Sequence, residues 1–88
     1  MNYLIVGASS GLGRDLAYTL SEDANNLTLI SRDIRDLNVM KSDIESLYQT
    51  KVNTYSVDLA STTSVVTFLN NKEIEFSLLD GVLFPIGM

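Results

Sequence analysis

Short apolar runs alternate with amphipathic stretches three times along this chain, and a last apolar run follows. Residues 2–6 (Asn-Tyr-Leu-Ile-Val) are apolar over the length of one strand and predict a buried strand. From Gly11 to Ser21, Leu12, Leu16, Ala17 and Leu20 recur at helical spacing, which predicts a helix with that face inward. A polar turn, Asp23-Ala-Asn-Asn26, separates it from a second strand over Leu27–Ser31. Ile34, Leu37, Met40, Ile44 and Leu47 then mark a helix over Asp33–Leu47. Lys51–Val57 reads as a third strand with less regular alternation. Ser61 or Thr62 is suited to cap a helix running to about Asn71, with Val65, Val66, Phe68 and Leu69 apolar. Leu78–Phe84 is the fourth strand. Strands joined through helices need crossover connections, so the pattern predicts an α/β fold with a parallel sheet.

The first strand runs straight into three glycines and a helix: Leu4-Ile-Val-Gly7-Ala-Ser-Ser-Gly11-Leu-Gly13-Arg-Asp-Leu-Ala17. A phosphate needs backbone N–H donors at close range and the positive end of a helix dipole, and a Cβ obstructs that approach. On this reading Gly7 makes the turn off the strand, Gly11 admits the ligand to the backbone, and Gly13 lets the helix sit close to the sheet. The spacing is Gly-x-x-x-Gly-x-Gly, a variant of the Gly-x-Gly-x-x-Gly dinucleotide fingerprint with the same physical logic.

Composition narrows the chemistry. The 88 residues are 45% hydrophobic and 19% charged, a globular balance with room for one small domain. A net charge of −5 without a basic cluster argues against a nucleic-acid partner. With no cysteine and no histidine, disulfides, thiolate or imidazole zinc ligands and Ser–His or Cys–His nucleophiles are excluded within these residues. The acidic residues are scattered, which reads as a solvated surface and not a metal site. No segment approaches the ~20 apolar residues that span a bilayer, and the first residues lack the features of a signal peptide. The expectation is a cytoplasmic protein with no membrane partner.

Gly7-Ala-Ser-Ser-Gly11-Leu-Gly13 resembles the cofactor loop of the short-chain dehydrogenases/reductases, which usually read Thr-Gly-x-x-x-Gly-x-Gly; Val6 stands in place of the threonine. Ser31-Arg32, Val57-Asp58-Leu59 and Leu79-Asp80-Gly81-Val82-Leu83 follow in the family's order, so the likeness runs from residue 2 to residue 87. It covers the first half of a family domain. It implies a Rossmann-type half domain over residues 1–88, with sheet order 3-2-1-4 and helices on both faces. It also implies cofactor contacts from Gly7, Ser9, Ser10, Gly11, Leu12 and Gly13 in the loop, and from Ser31, Arg32, Asp58, Leu59, Pro85 and Gly87 further along.

The end of the second strand is where such sites tell their cofactors apart. A carboxylate there accepts from the ribose hydroxyls, whereas a guanidinium pairs with a 2′-phosphate. Here Ser31 stands where NAD-preferring relatives place Asp, and Arg32 follows, offering a planar fork of donors. The expectation is NADP(H) in preference to NAD(H). The alternative is that Arg32 is a solvated residue beginning a helix capped by Asp33; the two roles are compatible, and the register favours the phosphate role. Ser10 occupies a position that is basic in some NADP-preferring relatives, and Arg14 is expected on the exposed helix face. Asp58 has two open roles: reading the adenine edge with the Leu59 N–H, as the resemblance implies, or capping the next helix.

Family members continue Asp-x-Leu-Val-Asn-Asn-Ala-Gly along the fourth strand, whereas this chain reads Asp80-Gly-Val-Leu-Phe84-Pro85-Ile86-Gly87. Both asparagines and the alanine are replaced, and Pro85 has no N–H for the ladder. The family's proton donor, Tyr-x-x-x-Lys, is absent: Glu22, Val52, Leu59 and Gly7 stand four residues after the four tyrosines. Two readings follow. One is the N-terminal, adenosine-binding part of a truncated short-chain dehydrogenase/reductase, inactive by itself. The other is a stand-alone nucleotide-binding or dimerisation module; an enzyme completed by another chain is a third. Val82, Leu83 and Phe84 on an uncovered edge predict a homo-oligomer joined through the fourth strand across a two-fold axis.

Overall fold

A computed structural model describes residues 1–9 and 11–85. In chain order it contains β1 (Asn2–Val6), α1 (Gly11–Glu22), β2 (Asn26–Ser31), α2 (Ile34–Leu47), β3 (Val52–Ser56), α3 (Thr62–Asn70), a short 3-10 turn at Phe76–Leu78, and β4 (Gly81–Leu83). The strands form one parallel sheet in the order β3-β2-β1-β4, as expected from the pattern and the resemblance. β1 and β2 sit inside the sheet, with Leu4 beside Thr28 on one flank and Val82 on the other.

Because side chains alternate across a strand, each strand serves both faces. Ile5, Leu27, Leu29 and Val52 point to the side covered by α1 and α2, where they meet Ala17, Leu37, Met40 and Ile44 in the larger core. Leu4, Ile30 and Val57 point to the other side, under Val65 and Phe68 of α3. Helix α1 meets the sheet with its smallest residues: Gly13, Ala17 and Ser21 are buried one turn apart. The expected face is thereby corrected, since Leu16 and Leu20 are only partly buried and Leu12 is 52% exposed. Small side chains bring the helix axis close to the strands, and the leucines are turned to its flank.

Local bonds set the ends of the elements. Asp33 caps α2 by accepting from the N–H groups of Arg35 and Asp36. Ser61, one of the two expected candidates, caps α3 through the Ser64 N–H. Glu45 on α2 accepts from the N–H of Val52, tying the start of β3 to the helix. The fourth strand is shorter than the apolar run Leu78–Phe84 predicts. The Asp80 carboxylate accepts from the Asn2 N–H, and the Asn2 side chain donates to the Leu78 carbonyl. These bonds hold the 3-10 turn against the start of β1, so pairing begins only at Gly81. It ends before Pro85, as the missing N–H requires. Among the described residues, no helix is long and apolar enough to cross a membrane.

Candidate functional site

The carboxyl ends of the strands carry the candidate site, as in other open α/β sheets. Gly7 leaves β1 with φ +81°, a left-handed conformation that glycine adopts without strain. Its N–H and that of Ala8 both donate to the Ile30 carbonyl, at 2.8 and 3.1 Å. This corrects one part of the phosphate-cradle expectation. The first two amides of the corner hold the loop to β2, which leaves the first turn of α1 as the source of donors for a ligand.

Gly11 and Gly13 differ sharply. A Cβ added at Gly13 would lie 2.5 Å from the Gly7 carbonyl oxygen and 3.0 Å from the Ala8 Cα, so the fold itself demands glycine there. A Cβ at Gly11 would meet nothing within 4 Å. The protein's own packing does not require glycine at that position, and the backbone there is open to an approaching group. Leu12, beside it, is exposed. Ser10 lies outside the described residues.

The end of β2 comes up against this loop. The hydroxyls of Ser9 and Ser31 are 2.5 Å apart, and Ser31 also accepts from the Asp33 N–H at 3.3 Å. Ser31 is nearly buried, so its hydroxyl serves as a link between the glycine loop and the start of α2. Beyond it lies an open depression of about 430 Å³ lined by Ser9, Ser31, Arg32, Asp33, Ile34 and Arg35. The Arg32 carbonyl accepts from the Ser56 hydroxyl of β3, which pins its backbone while its side chain stays exposed. Arg35 was not singled out by the sequence pattern. The Asp33 cap starts α2 so that residue 35 stands in its first turn, beside the same depression. Neither guanidinium forms an ion pair with another described residue.

The remaining expected positions are more dispersed. Asp58, half-buried just past the end of β3, accepts from the Ala60 N–H at 3.1 Å and so orders the turn ahead of α3. The helix cap itself belongs to Ser61, which removes one of the two roles left open for Asp58. Leu59 is 46% exposed and lines an apolar cleft beneath α3. Pro85 packs where β4 meets α1: its carbonyl oxygen is 3.9 Å, and its ring carbon Cγ 3.1 Å, from the Cβ positions built on Gly7 and Gly13. Gly87 lies outside the described residues, as does Ile86. Arg14 is exposed, as expected; it lies near Tyr18, whose hydroxyl donates to Asp43 at 2.5 Å. The Asp43 carboxylate raises the Tyr18 pKa above the ordinary phenol value, chiefly through that hydrogen bond, and Arg14 offsets part of the shift. This pair joins α1 to α2 and is separate from the glycine corner. Among the described residues, no group of three or more potential metal ligands comes together.

The short chain dehydrogenase family model matches residues 2–88, so the chain belongs to that family. It is 34% identical over 83 residues to a very-long-chain 3-oxoacyl-CoA reductase of Phaeosphaeria nodorum, a match covering 90% of this chain and 22% of that protein. Among solved structures, an oxidoreductase from E. coli (yciK) is similar with a TM-score of 0.83 and 27% identity, over 99% of this chain and 36% of the other. An alcohol dehydrogenase from the archaeon Thermococcus sibiricus, complexed with 5-hydroxy-NADP, gives a TM-score of 0.80 and 26% identity over 92% and 34%. The chain thus spans about a fifth of the length of the curated relatives it matches.

Proposed function

We propose that these residues form the NADP(H)-binding, adenosine-side part of a short-chain oxidoreductase that interconverts a carbonyl and an alcohol. The observation that carries the reading is the depression holding both Arg32 and Arg35 next to Ser9 at the glycine corner. Two guanidiniums without an ion-pair partner among the described residues match the charge and planar geometry of a phosphate. The open backbone at Gly11 and the first turn of α1 suit the pyrophosphate. Asp58 and Leu59, one strand further across the sheet, fit the adenine side.

When bound, the nicotinamide would supply or accept the hydride. The part played by this chain's residues is to grip the other end of the cofactor. Arg32 and Arg35 neutralise the 2′-phosphate, the amides at the start of α1 receive the pyrophosphate, and the Ser9–Ser31 link holds the two subsites in register. No tyrosine here precedes a lysine by four, so the chain supplies binding and not the proton for the developing alkoxide. The family relationship, the solved alcohol dehydrogenase complexed with 5-hydroxy-NADP and the reductase names of the curated relatives support this reading. From those names we carry over carbonyl reduction as a reaction class and no narrower substrate.

Titration of the purified chain with NADPH, NADH and 2′,5′-ADP tests the proposal. Half a dinucleotide site predicts micromolar to millimolar binding, about −4 to −8 kcal/mol. Arg32→Ala should weaken 2′,5′-ADP about tenfold or more, since a charge-assisted contact contributes about 1.5–3 kcal/mol, and should leave NADH nearly unchanged. Equal affinity for NADH and NADPH would overturn the cofactor preference. Absence of binding by all three ligands would overturn the nucleotide reading and favour the alternative, a dimerisation module without catalysis.

A further inference from the structure

We propose, on the strength of the cofactor reading above, that Asp33 is the positioning residue of the 2′-phosphate subsite: it sets Arg35 in the depression and is itself withheld from the ribose. A carboxylate near the end of the second strand of such a fold ordinarily accepts from the ribose hydroxyls. Asp33 stands two residues past Ser31, the last residue of β2, and lines the same depression as Arg32 and Arg35. Its place alone allows either role. The hydrogen bonds separate them. Oδ1 of Asp33 accepts from the N–H groups of Arg35 and Asp36, at 3.1 and 3.3 Å, and its backbone is extended, with φ −93° and ψ 93°, as an N-cap requires. Two helix amides engage both lone pairs of that oxygen, which leaves it none for a ribose hydroxyl.

The same bonds tie Arg35 to the glycine corner. The Asp33 N–H is held by Ser31 Oγ at 3.3 Å, and the Ser31 hydroxyl is bonded to that of Ser9. A continuous set of hydrogen bonds therefore runs from the loop after β1, through the end of β2, to the backbone of Arg35. The Arg35 side chain is long and exposed, so its guanidinium converges with that of Arg32 only where the first turn of α2 is fixed. Without the cap, the first N–H groups of the helix are orphaned and that turn frays. Charge acts in the opposite direction. Among the described residues, the side chains lining the depression carry two positive charges and one negative, the negative one being Asp33. Its carboxylate repels a phosphate, while its acceptor oxygen places one of the groups that bind it. Asparagine at this position keeps the acceptor and removes the charge, whereas alanine removes both.

Titration of the full chain and its Asp33→Asn and Asp33→Ala variants with 2′,5′-ADP and with NADH provides the test. Asp33→Asn should bind 2′,5′-ADP about twofold or more tighter than the unaltered chain, by a margin that shrinks as salt is raised, with NADH affinity unchanged. Asp33→Ala should bind 2′,5′-ADP about threefold or more weaker than Asp33→Asn, the change a lost cap predicts. That difference should vanish when Arg35→Ala is added to both variants and persist when Arg32→Ala is added instead, a pattern that general loosening of α2 does not produce. If Asp33→Ala does not fold, Asp33→Gly, tolerated at helix starts but lacking the acceptor, takes its place. Equal binding of 2′,5′-ADP by the Asn and Ala variants overturns the positioning role. Weaker NADH binding by Asp33→Asn overturns it in favour of a direct ribose contact. Failure of the unaltered chain to bind 2′,5′-ADP overturns the cofactor reading and this role with it, so the two failures are told apart by the unaltered chain.

Discussion

The face of the sheet beneath α1 and α2 and the face beneath α3 are made by the same four strands, yet they are packed to different degrees. Among the described residues the first buries nine core residues, including Leu29, Leu37, Met40 and Ile44, and the Tyr18–Asp43 and Val52–Glu45 hydrogen bonds tie α2 to α1 and to β3. The second buries three, Leu4, Ile30 and Val57, and no residue of α3 is fully buried. Helix length is one cause: α2 has 14 residues and α3 nine. The other is coverage, since one helix and a tilted Tyr55–Phe68 ring pair, 5.4 Å between centroids, stand where two helices cover the opposite face. The depression of Arg32 and Arg35 lies at the end of the well-packed side, where α2 begins. The exposed apolar residues Leu69, Phe76, Val82 and Phe84 lie on the other.

This contrast is testable by paired substitutions. The largest expected effect is Ile44→Ala, which should cost about 2–5 kcal/mol in urea unfolding at fixed protein concentration. Leu69→Ala on α3, already 49% exposed, should cost less than about 1 kcal/mol. Similar losses from the two would show the faces to be equally packed.

A smaller pair probes the glycine corner. Gly13→Ala drives a Cβ into backbone and should destabilise by about 1–3 kcal/mol or more. Gly11→Ala meets open space within the first turn of a helix and should stabilise by about 0.4–1 kcal/mol. If Gly11 is kept for a ligand, the same change should weaken NADPH while the fold gains. A stable Gly11→Ala protein with unaltered NADPH binding would show that position to be uninvolved.

The smallest effect is expected at Tyr18. Its hydroxyl is solvent-accessible, so Tyr18→Phe should alter stability by less than about 0.5 kcal/mol at neutral pH. The bond to Asp43 raises the folded-state pKa above that of the unfolded chain. Its stabilisation is therefore complete below the unfolded value and is lost as pH rises through the folded one. An alkaline absorbance titration should show a tyrosinate transition above about pH 10 that Tyr18→Phe removes. Loss of the bond at neutral pH would contradict this assignment.

Much of the fold was legible because the periodicities are strong. Leu37, Met40 and Ile44 recur at helical spacing and are buried together, and Tyr3–Val6 is apolar throughout because β1 is covered on both flanks and both faces. The limits were equally physical. Leu12, Leu16 and Leu20 mark a helical face by hydropathy, but the neighbouring line Gly13, Ala17 and Ser21 won the sheet because small residues permit a closer approach. Leu78 belongs to an apolar run that reads as strand, yet Asn2 and Asp80, 78 residues apart, reassign it to a turn. At the candidate site the corner itself could be read from three glycines. The Ser9–Ser31 link and the placement of Arg35 could not, since each depends on residues that meet only once β2 lies against β1.

The order of residues by itself determined which segments become strands and helices, the parallel crossovers between them, and the glycine at position 13, because these depend on side-chain periodicity and backbone sterics acting over a few residues. Tertiary structure alone decided which amides of the corner stay available, which two arginines share one depression, and which apolar residues are left uncovered. Those outcomes depend on distances between segments far apart in the chain, and such distances exist only after the sheet has assembled.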